Sequence, residues 1–254
     1  AQILADNGLI ADTSEFLSEV RRTEAESALK SGSYRVVAGS DATDIIALLT
    51  AGPNASTAQL TVPEGFTVAQ IASAAQESLG ISSDDFLAQA KASNYVDDYP
   101  FLADAHEDSL EGYLFPKTYD FSGSDGVTAD TLIRAMLDQY QAEVESLDLA
   151  GAAATLSERY GLTLDENDIL TMASIVEREA LTDEQRPKVA SVFYNRLRDG
   201  MKLQSDATLT YSLGRAATAD EINTLQDPYN TNLNAGLTPT PICSPSLDSI
   251  EAAC

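Results

Sequence analysis

Apolar residues recur three and four positions apart along most of this chain, the spacing of helices that bury one face. In DTSEFLSEVRRTEAESAL (12–29), Asp12 or Ser14 stands as N-cap and Phe16, Leu17 and Val20 share a face. Two similar stretches follow, YRVVAGSDATDIIALL from Tyr34 and LTVPEGFTVAQIASAA from Leu60. Each is a short β-rich run, a glycine-containing turn, a capping residue and a helical pattern carrying Ile45 or Ile71. Two copies are too few for a solenoid, which needs about three stacked units. They predict a compact βα module of two strands and a few helices over residues 1–78. From SSDDFLAQA (82–90) onward the pattern is mostly helical, with polar or aromatic loops at 95–126 and after Gly214. The fold class predicted is α+β: a small βα module, then a mixed, mostly helical domain with a small sheet over 79–254. Loops longer than about 12–15 residues are usually functional or disordered, and Tyr113, Phe115, Tyr119 and Phe121 predict that the first one orders by packing. Its DFSGSDG stretch (120–126) makes a poor calcium loop, because Gly126 is out of place and no Glu closes it.

One helical stretch, TMASIVEREA (171–180), sets two glutamates in an apolar run. At about 100° per residue, Ile169, Met172, Ala173, Val176 and Ala180 define a buried stripe and Arg178 points away from it. Glu177 and Glu179 fall on its two shoulders, roughly 80° to either side. For an arbitrary helix both would be solvated boundary residues, and periodicity alone does not choose between them.

Composition narrows the chemistry. The 254 residues carry 40 Asp+Glu against 15 Lys+Arg, a net charge of −25, which excludes the basic footprint of a nucleic-acid or anionic-lipid binder. No apolar run is long enough to span a membrane. With one histidine, His106, and no nucleophile-elbow pattern, a Ser-His-Asp triad is not supported. One histidine and the cysteines Cys243 and Cys254 do not make a zinc site, so no metal is expected. No Gly-rich phosphate loop is present, and no cofactor is expected. The two cysteines are compatible with a bridge or with two free thiols. Catalysis would then rest on carboxylates, with amides and tyrosines binding substrate, as in a glycan-cleaving enzyme.

The flanking segments supply such groups. The helix EQRPKVASVFYNRLRDG (184–200) is predicted to turn Val189, Val192, Phe193 and Leu197 inward. MKLQSDATLTY (201–211) presents Gln204, Asp206, Thr208 and Tyr211, and DPYNTNLNAGLTPTPICSP (227–245) presents Tyr229, Asn230 and Thr231. Turn chemistry alone accounts for each loop about as well.

VPEGFTVAQIA (62–72), LEGYLFPKTY (110–119), TMASIVERE (171–179), KVASVFYNRLRDGMKLQSDATLTY and DPYNTNLNAGLTPTPICSPSLDSIEAA together resemble the YceG-like endolytic murein transglycosylase family, in order and over nearly the whole chain. The resemblance implies cleavage of the β-1,4 bond between N-acetylmuramic acid and N-acetylglucosamine inside peptidoglycan strands, leaving 1,6-anhydro-muramoyl ends. It maps the catalytic acid/base onto Glu177, the first Glu of the SIVExE pattern, with a pKa expected to be raised by desolvation. It places Glu111, Glu179, Asn195, Gln204, Asp206, Tyr229, Asn230 and Thr231 along the glycan groove, and makes the first module LysM-like and peptidoglycan-binding. Peptidoglycan strands are the implied partner, with cell-wall synthases or division proteins as further ones, no nucleic acid, and a cell-envelope, extracytoplasmic location. The family also carries an N-terminal membrane anchor and a further C-terminal segment, so this sequence, without an initiating Met and stopping at Cys254, is expected to be a piece of a tethered protein. Thr240, Ser244 and Ser246 stand where the family commonly has Gly, Asn and Gly. A non-catalytic wall-binding scaffold and a muramidase-type hydrolase are the competing readings.

Overall fold

The structure, a computed structural model, describes residues 1–54, 58–124 and 126–254. The chain divides into two compact units: residues 1–59 with 120–127, and residues 60–119 with 128–254. Antiparallel strands β1 (Gln59–Thr61) and β2 (Thr118–Asp120) form a two-stranded sheet, with Phe121 N–H donating to Ala58 and Val62 N–H to Lys117.

The smaller unit holds α1 (Gln2–Asp6), α2 (Thr13–Arg22) and α3 (Ala42–Ala51). Asp12 caps α2 by accepting from Ser14 and Glu15, and Phe16 and Val20 pack with Ala25, Ile45 and Ile46. Helix α2 stops at Arg22, short of the expected Leu29, and Leu17 lies 42% exposed, off the buried face. Tyr34–Val37, expected as a strand, is not one. Arg35 N–H and C=O are met by the Asn54 side-chain amide, which stands in for a neighbouring strand. The first expected repeat thus keeps its helix and loses its strand, whereas the second keeps both, as β1 and α4 (Val68–Leu79). Helix α4 packs within the larger unit although it falls in the 1–78 stretch.

The larger unit continues with α5 (Ser83–Gln89), α6 (Ala129–Val144), α7 (Leu149–Tyr160), α8 (Glu166–Glu179), α9 (Arg186–Arg198), α10 (Asp206–Leu213), α11 (Ala219–Thr224) and α12 (Leu247–Ala253). Helix α8 is the axis of its core. Every residue from Ile169 to Val176 is buried, so α8 is covered all round rather than along one stripe, with α7, α9, α10 and α12 against it. An Asp165–Asp168 capping box starts it. The 95–119 segment is ordered: Tyr113, Phe115 and Tyr119 are buried, and Tyr113 packs its ring on Phe101 and Tyr140. Asp125 of the DFSGSDG stretch lies outside the described residues.

Helix α9 buries Ala190, Phe193 and Tyr194, a face rotated from the expected one, and leaves Val192 half exposed. Tyr194 accounts for the rotation: its ring stacks on Tyr160 and its hydroxyl donates to the Ala253 carbonyl at 2.7 Å, satisfying a polar tip that could otherwise not be buried. Cys243 and Cys254 are both free thiols, one buried and one exposed.

Candidate active site

Glu177 sits in the last turn of α8, where the buried run ends and its carboxylate reaches the first turn of α12. Ser246, the N-cap of α12, donates to Glu177 Oε2 through its N–H (3.0 Å) and its hydroxyl (2.6 Å), and the Ser249 hydroxyl donates to the same oxygen at 2.6 Å. Among the described residues, Oε1 is paired with Arg186 Nη2 at 3.7 Å, an ion pair whose side chains are 10–11% exposed. Burial pushes the Glu177 carboxyl up. The two hydroxyls, the Ser246 N–H and the Arg186 charge together outweigh it and hold the carboxyl below its ordinary value, so the raised pKa expected from desolvation is corrected. Ser249 and Arg186 were not singled out in the sequence, and Ser246 only as a departure from the family pattern. The signal for the serines was local, an S-x-x-S at a helix start, but nothing local pointed it at Glu177. Glu64 stands nearby: partial burial and the Glu177 charge push its carboxyl up, against Arg186.

Glu111 lies in a different setting, 3% exposed at the wall of a cavity of about 820 Å³. Val68 N–H, at the start of α4, donates to both its oxygens (3.1 and 3.2 Å) and Tyr211 O–H donates to Oε2 (3.1 Å). Burial dominates these donors and pushes its pKa up to about 8, so the acid is neutral at pH 7. Gly112 beside it has φ +89, and a Cβ there would lie 2.7 Å from Pro241 Cβ. The EGYLFP motif needs glycine to bring the backbone this close. Tyr211 and Tyr229 line the same cavity with ring centroids 5.1 Å apart, and Tyr229 O–H meets Thr240 Oγ1 at 2.8 Å.

The remaining expected residues fall into two groups. Glu179 accepts from Ser205 Oγ at 2.6 Å and borders a shallow hollow with Gln204, whose φ is +54. Asp206 accepts from Asn232, and Asn195 donates to the Ser191 carbonyl of its own helix. Asn230 and Thr231 are buried, with Asn230 Nδ2 donating to the Ile222 and Leu225 carbonyls at the end of α11 and Thr231 Oγ1 to the carbonyl of Ser205, the N-cap of α10. Glu177 is not on the wall of the 820 Å³ cavity, whereas Glu111 and Tyr229 are. Ser244 is fully buried with its hydroxyl unpartnered.

Among the described residues, His106, Asp165 and Asp168 could gather around a metal, with donor atoms within 4.8 Å of one another. Both carboxylates are already engaged in capping α8, and His106 Nε2 lies 2.9 Å from Asp165 Oδ2, so helix capping accounts for the group.

The profile of the YceG-like family matches residues 1–254. The endolytic murein transglycosylase of Bacillus subtilis (strain 168) is 34% identical over 265 residues, covering all of this chain and 71% of that protein. The endolytic murein transglycosylase of Streptococcus pneumoniae (strain D39) is 34% identical over 219 residues, 77% of this chain and 38% of its own length. The crystal structure of a yceG-like protein from Listeria monocytogenes superposes with a TM-score of 0.67 at 31% identity, covering 99% of this chain and 84% of the other. An order-preserving match from end to end, with the same fold at that identity, makes this chain a member of the YceG-like family.

Proposed function

We propose that this chain is an endolytic lytic transglycosylase that cleaves the MurNAc–GlcNAc β-1,4 bond within peptidoglycan strands and leaves 1,6-anhydro-muramoyl ends. The observation that carries the reading is Glu177: a largely buried carboxylate, in the helix that the family match covers, with one oxygen held by three donors and the other left to a single distant cation. Such a group is oriented but has an oxygen free to handle a proton. Protonated Glu177 gives its proton to the glycosidic oxygen as the C1–O4 bond breaks and its electron pair leaves with that oxygen. The resulting carboxylate then takes the proton of the muramoyl 6-hydroxyl while O6 bonds to C1. No water is consumed and Glu177 ends protonated. One carboxyl therefore suffices where a retaining hydrolase needs two. Because the resting group is ionised, the acid step draws on a minor protonated fraction at neutral pH.

Glu64 supports a second reading. It brings another carboxylate within electrostatic reach of Glu177, as a hydrolase would require. The Glu111–Tyr211–Tyr229 cavity is read as a sugar subsite. The smaller unit is read as the LysM-like module that holds the strand. The setting is the extracytoplasmic face of the envelope. No helix among the described residues is long and apolar enough to cross a membrane.

Mass spectrometry of purified peptidoglycan after incubation with the chain and with Glu177→Gln tests both readings. Anhydro-muramoyl ends from the first and none from the second are expected. Ends one water heavier would establish hydrolysis, and intact glycan with both proteins would leave a binding role.

A further inference from the structure

Forty acidic side chains surround fifteen basic ones in this protein, so most of its arginines have found a carboxylate. Arg178 has not. It follows Glu177 directly and lines the 820 Å³ cavity, yet no described Asp or Glu lies within ion-pair distance of it. Among the described residues its one hydrogen bond is a long one, 3.4 Å from Nη1 to the Gly65 carbonyl. Glu177 next door is served by a different cation, Arg186. Arg215, the other cation on the wall, is committed to Glu221 at 2.6 Å. The wall thus holds an open guanidinium in a molecule of net charge −25, where electrostatics disfavours an anionic visitor almost everywhere else.

The rest of the wall specifies what accompanies that anion. Tyr211 and Tyr229 present two tilted rings, broad amphipathic surfaces of the kind that pack on the C–H faces of pyranoses while their hydroxyls stay hydrogen-bonded. Gln70, Ser73 and Thr210 add neutral donors and acceptors. Of the two glutamates on the wall, Glu111, neutral at pH 7, adds a carboxylic acid without repelling an anion, and the exposed Glu77 is not within ion-pair distance of Arg178. The volume lies inside the usual range for ligand sites, about 300–1,000 Å³.

We infer that this cavity is a subsite for a muramoyl unit and that Arg178 binds a carboxylate carried by that unit, borne either on its lactyl group or on its stem peptide. The inference rests on the reading of the chain as a peptidoglycan-cleaving enzyme and adds that the substrate is recognised through its charge. A guanidinium facing a carboxylate gives a charge-assisted, geometrically selective contact that a neutral N-acetylglucosamine polymer would not make.

Calorimetric titration decides it, using tetrasaccharides of alternating N-acetylglucosamine and N-acetylmuramic acid and the full chain in unaltered, Arg178→Ala and Arg178→Lys forms. Three ligands are compared: stem peptides intact, peptides removed to free the lactyl carboxylate, and that carboxylate capped as its methylamide. Arg178→Ala is expected to weaken binding of a carboxylate-bearing ligand about tenfold, Arg178→Lys to restore part of it, and the capped ligand to bind all three proteins alike. A loss confined to the peptide-bearing ligand assigns the carboxylate to the stem peptide, and a loss on the stripped ligand assigns it to the lactyl group. Equal weakening for all three ligands, or no binding by the unaltered chain, overturns the inference. Binding is read without turnover, so a chain that binds this way yet releases no product would upset the lytic reading and leave the inference standing.

Discussion

Glu111 and Glu177 are both half or more buried in one unit, yet their surroundings drive them in opposite directions. Glu111 has burial on every side and donors too few to offset it, and it stays protonated to about pH 8. Glu177 pays the same kind of desolvation but gathers two hydroxyls, a helix N-terminal N–H and an arginine, and it is ionised. The difference shows that burial depth is a poor guide to the charge of a carboxyl: the count and aim of donors decide. It also reverses the simplest expectation for a general acid. The group matched to proton transfer rests as a base, and the neutral acid stands in a cavity wall that Glu177 does not line.

The largest effect that could break this contrast is on stability. The folded pKa of Glu111 lies above its ordinary value of 4.5, so its contribution is fully present below that value and is lost as pH rises toward about 8. Glu111→Gln removes the linkage, and the gap in unfolding free energy between the two proteins should shift in favour of the variant by up to about 5 kcal/mol between pH 4.5 and 8. Parallel stability curves in urea titrations would show that Glu111 is ionised after all. Next in size, Glu177→Gln should lower the rate of glycan cleavage on the order of a thousandfold in a protein that still folds, measured by release of soluble muropeptides. Residual activity within a few-fold of the unaltered chain would remove Glu177 from the chemistry.

A finer test uses the pH profile. If the acid step needs protonated Glu177, kcat/KM should fall about tenfold per pH unit above the depressed pKa. Ser249→Ala takes away one donor, so the carboxyl rises and that limb should move to higher pH. A limb that stays put, or moves to lower pH, would show that the serines do not set the charge. Arg186→Gln should move it in the same direction by less, since its charge acts from 3.7 Å and ranks below the hydroxyls.

Much of the frame was legible in the apolar spacing. The cap at Asp12, the helices at 42–51 and 68–79, and the shoulder position of Glu177 all follow from local pattern. What was not legible depends on distant partners. Ser246 and Ser249 reach Glu177 across about seventy residues, Asn54 replaces the strand expected to pair with Tyr34–Val37, and Tyr194 turns α9 by reaching Ala253. None of these leaves a periodicity, because each is a single polar group choosing its partner. Asn230 and Thr231 illustrate the reverse: sequence marked them as polar loop residues, and the fold consumes their polarity in holding the end of α11 and the start of α10.

Helix α12 spans seven residues, too few to persist in water on its own. It exists because Ile250 and Ala253 are sunk against the larger unit and Tyr194 grips the Ala253 carbonyl. The donors that fix Glu177 therefore last only as long as that docking does. A brief detachment of α12 would strip Glu177 of its hydroxyls and let its proton affinity climb, so the charge of the carboxylate is a readout of a local folding equilibrium, one that amide exchange at Ser249 and Ile250 would time directly.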